Sequence, residues 1–115
     1  MGNTFGLHTF AVAPAWELAR IEPQVERLKE YGVGLFEIPL DRPREIDVKA
    51  TRAFASRYGV DLVPSLALPP GLDVAGSPSD GLDFLEPAFR ACAEIGGFGL
   101  TGMTYGARGK ITGRA

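Results

Sequence analysis

Six side chains of the 115-residue chain suit binding or processing a small polar ligand: His8, Trp16, Glu37, Ser65, Met103 and Tyr105. His8 is the single histidine, and imidazole ligands to a metal usually come in sets, so contact with a substrate is the better use for it. Glu37 interrupts the apolar run VGLFEIPL at 33–40. A lone buried carboxylate is costly, so Glu37 must be ion-paired, hydrogen-bonded or beside water; a site role and a structural ion pair are both open. Trp16 offers a face that could stack on the C–H side of a sugar or simply close the mouth of the fold. Ser65, Met103 and Tyr105 fall near the ends of apolar runs, where they could line the same mouth as His8.

Two glycine motifs carry less. Gly97, Gly99 and Gly102 spell G-x-G-x-x-G, but the dinucleotide fingerprint needs a strand before it and a helix after it. Here a helical pattern precedes and a strand pattern follows, so the glycines read as a helix cap and a turn. The tail sequence GARGK resembles a phosphate loop, yet Thr104 and Ile111 stand where Walker A requires Gly and Ser or Thr.

The elements that must position these residues alternate. Strand patterns at Thr4–Phe10, Val33–Leu40, Asp61–Leu68 and Gly99–Tyr105 are separated by helical ones, the order of βα units and a parallel sheet. The first helix shows Ile21, Val25 and Leu28 at helical spacing, Pro23 in a first-turn position and Gly32 as a cap. The second opens at Asp47, with Ala50, Phe54 and Tyr58 on one face, and ends at Gly59. The third is expected over Gly81–Ile95, with Leu82, Leu85, Phe89 and Cys92 as its core stripe and Pro87 as a kink or a later start. Pro64 points to an irregular third strand, and the long segment PPGLDVAGSPSDG suggests a functional cover. Gly6 and Gly34 lie 28 residues apart, a βα repeat. An eight-unit barrel needs about 250 residues, so four strands and three helices amount to one half-barrel domain over residues 1–115, as if cut short.

Composition narrows the function. Twelve basic against 14 acidic residues give a net charge of −2, a poor match to a nucleic-acid backbone. All 14 acids and nine of the bases precede residue 95, leaving Arg108, Lys110 and Arg114 as a basic tail. One cysteine, Cys92, allows no intrachain disulfide and no zinc-type cysteine cluster. The N-terminal sequence has neither the charge nor the apolar run of a signal or membrane span, and Gly6 breaks a myristoylation pattern. These features predict a cytoplasmic protein with no membrane partner.

Taken together, GLHTFAVAPAW, LKEYGVGLFEIPL and GLTGMTYG resemble the N-terminal part of the sugar phosphate isomerase/epimerase superfamily, xylose isomerase-like TIM barrels, and within it the ketose 3-epimerases. The resemblance implies a divalent metal (Mn, Mg or Co) and two glutamates on opposite sides of a ketose carbon. The metal would stabilise enediolate oxygens while one carboxylate takes the proton and the other returns it. It further implies that His8 and Trp16 match substrate-contacting positions, with Ser65 and Met103 near others that line the pocket. The family usually has a bulky aromatic where this chain has His8. By the same resemblance, the metal ligands and catalytic glutamates lie on later strands, none of them in these 115 residues, and Glu37 is not among them.

Two functions follow as expectations. One is an N-terminal part of a ketose 3-epimerase-like isomerase, inactive alone and prone to self-association through its open barrel edges. The other is a small non-catalytic α/β sugar-binding module, or a subunit completed by a partner chain, in which the basic tail would contact an anion.

Overall fold

The computed structural model describes residues 4–74 and 76–107. Its elements are β1 (Phe5–His8), a 3-10 turn (Thr9–Ala11), α1 (Leu18–Glu30), β2 (Val33–Pro39), α2 (Val48–Tyr58), β3 (Asp61–Leu68), α3 (Pro78–Ile95) and β4 (Thr101–Ala107). The strands form one sheet in the order β1-β2-β3-β4, every pair parallel. The sheet curls into a half barrel with the helices on its outer face, as expected for part of a (β/α)8 TIM barrel.

Side-chain alternation along the strands sets the two faces. Phe36 and Ile38 of β2 and Leu62 of β3 are buried against Ile21 and Val25 of α1 and Phe54 of α2. Leu66 and Leu68 are buried against Leu85, Ala88 and Cys92 of α3. The residues between them, Leu35, Glu37 and Pro39 on β2 and Val63, Ser65 and Ala67 on β3, therefore face the barrel interior.

Local chemistry ends the helices as the sequence predicts. The Asp47 side chain accepts the Ala50 N–H at 2.9 Å, and Gly59 takes the left-handed conformation at φ 62°, which costs glycine no Cβ clash. α3 closes on Gly96 at φ 83°, one residue before the G-x-G-x-x-G run.

Four expectations change. α1 begins at Leu18, so Pro23 lies inside it; the first bonds run from the Arg20 and Ile21 N–H to Glu17 O. α3 begins at Pro78, whose missing N–H is harmless at a helix start, and this shortens the preceding loop. Its buried stripe is Gly81, Leu85, Ala88, Cys92 and Ile95, while Leu82 and Phe89 are exposed. Pro64 leaves the β2–β3 register continuous, because pairing with β4 begins only at Ser65; the register shift lies between Ala67 and Leu68 instead.

Candidate functional site

The C-terminal ends of β1, β2 and β3 open into a cleft of about 560 Å³, whose lining includes His8, Phe10, Glu37, Asp41, Ser65 and Gly102. Parallel α/β sheets place their ligands at this end.

His8 anchors it. Its Nδ1 accepts the Phe10 N–H at 3.1 Å, which leaves the proton of a neutral imidazole on Nε2, 3.0 Å from Ser65 Oγ. Nε2–H therefore donates to Ser65, and the serine hydroxyl keeps its own proton to offer to a ligand. Ser65 is buried, so the pair is a preset donor rather than a mobile surface group.

Glu37 accepts a hydrogen bond from Thr101 Oγ1 at 3.0 Å, and among the described residues no basic side chain pairs with it. Glu37 thus lines the cleft as a hydrogen-bonded carboxylate. With Asp41 it makes the cleft acidic and rich in acceptors.

The two bonds share a geometry. In the ladder His8 is level with Glu37 and Glu37 with Val63, yet His8 reaches Ser65, two residues further along β3. Glu37 skips β3 in the same way to reach Thr101, which is level with Ser65. A stagger of two residues across two strands is what an eight-stranded barrel of shear eight requires, and such barrels build each interior layer from alternate strands. His8 with Ser65 and Glu37 with Thr101 thus belong to two successive interior layers.

Trp16 stands apart. Its indole N–H donates to Thr51 Oγ1 at 3.0 Å, and its ring meets Phe54 edge-on with centroids 5.3 Å apart. It lines a neighbouring cleft of about 300 Å³ that shares Pro39 and Asp41 with the first. Met103 and Tyr105 lie on β4, but their side chains, like the basic tail of Arg108, Lys110 and Arg114, fall outside the described residues. Sequence reasoning missed Asp41 and Thr101. Asp41 is the first polar residue after the β2 run, a signal for a strand-end ligand position; Thr101 becomes visible only once the register is known.

A larger hollow, about 800 Å³, lies between the entry to α2 and α3 and is lined by Arg44, Asp83, Glu86, Pro87 and Arg90 among others. It contains none of the candidate residues and lies on the helical side of the sheet. No three His, Cys, Asp or Glu side chains among the described residues come together as a set fit to hold a metal ion. No helix among them is long and apolar enough to cross a membrane.

No family model matches the chain. A curated relative, ketose 3-epimerase from Arthrobacter globiformis, is 27% identical over 109 residues, covering 91% of this chain and 38% of its own. The crystal structure of D-allulose 3-epimerase from Methylomonas sp. in complex with D-allulose superposes with a TM-score of 0.80 at 27% identity, covering 96% of this chain and 40% of that one. The structure of an L-ribulose 3-epimerase, 18% identical, shares the fold with a TM-score of 0.77 over 96% of this chain and 39% of its own. The chain thus spans about two-fifths of the length of the proteins it matches. Across nearly all of its residues, this protein resembles the N-terminal part of the ketose 3-epimerases.

Proposed function

We propose that the chain is the N-terminal part of a metal-dependent, cytoplasmic ketose 3-epimerase-like isomerase, and that it supplies a sugar-binding wall while being inactive alone. The observation that carries this is the cleft at the strand ends, built from His8, Ser65, Glu37 and Asp41 in a chain 27% identical to D-allulose 3-epimerase. A ketose presents hydroxyls that both donate and accept. The Ser65 hydroxyl, held by His8, donates to a sugar oxygen; Glu37 and Asp41 accept from sugar hydroxyls. Two carboxylates in the lining repel a phosphate, so the substrate class is a free ketose rather than a sugar phosphate.

The described residues do not fit a divalent cation, and no step is assigned to one within this chain. In the longer enzyme such a metal would stabilise negative charge on the substrate oxygens. The role of the present residues is to orient the sugar with its reacting carbon toward acid–base groups contributed by the remainder.

The test is a chimera joining this chain to the portion of the Methylomonas enzyme that follows the aligned region. The chimera is expected to invert C3 of D-allulose in the presence of Mn²⁺, and the 115-residue chain alone is expected not to. A folded chimera without activity would overturn the reading. A second reading is a non-catalytic sugar-binding module, supported by the Ser65 hydroxyl held by His8 in the same cleft as Glu37 and Asp41. Saturable binding of D-allulose to the isolated chain, abolished by Ser65→Ala, would support it.

A further inference from the structure

We propose that the cleft at the strand ends continues past Asp41 into the smaller cleft beside Trp16, and that the ketose bound there carries a second sugar ring at the end remote from its reacting carbon. The inference rests on the sugar-binding reading above and extends it.

The two clefts are joined. The cleft at the strand ends, about 560 Å³, and the one beside Trp16, about 300 Å³, share Pro39 and Asp41 as a common rim. Pro39 ends β2, and the chain stays paired for one residue more, because the Leu40 N–H donates to the Ser65 carbonyl. Asp41 is thereby carried to the top of the first cleft and borders both. The walls of the second cleft come from residues 15–17, ahead of α1, and 41–46, ahead of α2. It therefore lies in the join between two consecutive βα units.

Its aromatic wall is preset. Trp16 is half-buried, its N–H donates inward to Thr51 and its ring is braced edge-on by Phe54. The indole surface that lines the cleft is held in place before a ligand arrives, so a ring that packs on it need not order it first.

The rest of the lining selects the ligand. Pro39 and Ile46 add apolar surface, while Glu17, Asp41, Arg42 and Glu45 form a polar rim. Arg42 pairs with Glu45 and Glu17 with Arg20, which leaves Asp41 as the uncompensated charge and disfavours a phosphate. A wholly apolar substituent would take water from the carboxylates and return no hydrogen bond. A sugar ring satisfies both parts: its C–H face packs on the indole, and its hydroxyls donate to the carboxylates. Ligand clefts run from about 300 to 1,000 Å³, so the second cleft is sized for something small, such as one ring. The reacting carbon faces the acid–base groups of the remainder, away from this wall. A substituent running toward Trp16 therefore leaves from the other end of the ketose.

The probes are D-fructose and 6-O-α-D-glucosyl-D-fructose, which differ by that one ring, titrated calorimetrically into the folded chimera described above. The disaccharide is expected to bind about tenfold more tightly. Ala15→Trp fills the second cleft from an exposed position and should bring the ratio of the two affinities to about one. Glu45→Trp, which narrows the cleft from its other wall, should do the same. Equal affinities in the parent chimera, weaker binding of the disaccharide, or a ratio that survives both substitutions would overturn the second ring and leave the ketose reading standing. Binding of neither sugar by a folded chimera would overturn both.

Discussion

His8 Nε2 and Ser65 Oγ lie 3.0 Å apart although their strands are separated by β2. The separation is bridged because the barrel stagger brings alternate strands level, and because the Phe10 N–H on Nδ1 leaves the imidazole one tautomer with which to make the bond.

Nitrogen NMR of the uncharged His8 imidazole should therefore show a protonated Nε2 and a bare Nδ1. A double-mutant cycle of His8→Phe and Ser65→Ala should return a coupling of about 0.5–1.5 kcal/mol in urea unfolding. Additive effects, or the opposite tautomer, would mean that the bond does not hold the site.

Thr9 follows His8 and is fully buried, yet its hydroxyl has no hydrogen-bond partner among the described residues. A buried hydroxyl without a partner costs free energy, and Val has the same shape without it. Thr9→Val should raise stability by about 1 kcal/mol, read as a higher denaturation midpoint with an unchanged slope; a loss of stability would reveal a bond that Thr9 makes.

The sequence made the βα order legible, because apolar runs, Asp47, Gly59 and Gly32 each act within a few residues. It mistook the phase of α3. The alternatives Leu82–Phe89 and Gly81–Ala88 differ by one position, and the choice between them depends on where β3 lies beneath the helix. Small residues won: Ala88 and Ala91 let the helix pack closely on the sheet, and Gly81 makes room for Val74 of the preceding loop. The site divides the same way. Polar residues at strand ends are visible in the sequence, but the Glu37–Thr101 and His8–Ser65 partnerships follow from register, which no local pattern encodes.

Trp16 is the sole tryptophan, so its fluorescence reports its own surroundings. Held by Thr51 and Phe54, it should emit at short wavelength and shift to the red on unfolding. Thr51→Val leaves the indole N–H without its partner and should cost about 1–2 kcal/mol. If Trp16 instead faces solvent freely, the substitution will be silent and the emission already red.

Cys92 is buried on the inner face of α3, and burial raises its thiol pKa. Desolvation disfavours the thiolate, so the folded state holds the proton more tightly than the unfolded one. That contribution is fully present at neutral pH and is lost as pH rises through the raised folded value. Cys92→Ala should show a shallower fall in stability between pH 7 and pH 10 than the parent, and thiol reagents should react with the folded parent far more slowly than with the unfolded chain. Equal slopes would place the thiol in contact with water.

Gly59 and Gly102 both have positive φ, 62° and 109°, but their surroundings differ. A Cβ on Gly59 would meet nothing within 4 Å, whereas one on Gly102 would overlap the Leu66 carbonyl of the neighbouring strand. Gly59→Ala should therefore cost only the conformational penalty of about 1 kcal/mol. Gly102→Ala adds a backbone clash that no side-chain rotation relieves, so it must push β4 away from β3. It should cost more than Gly59→Ala, by about 1–3 kcal/mol, and hydrogen exchange should locate the damage on the β3–β4 ladder, with β1 and β2 still protected. Equal costs for the two alanines would mean that β4 is not seated against Leu66 as described.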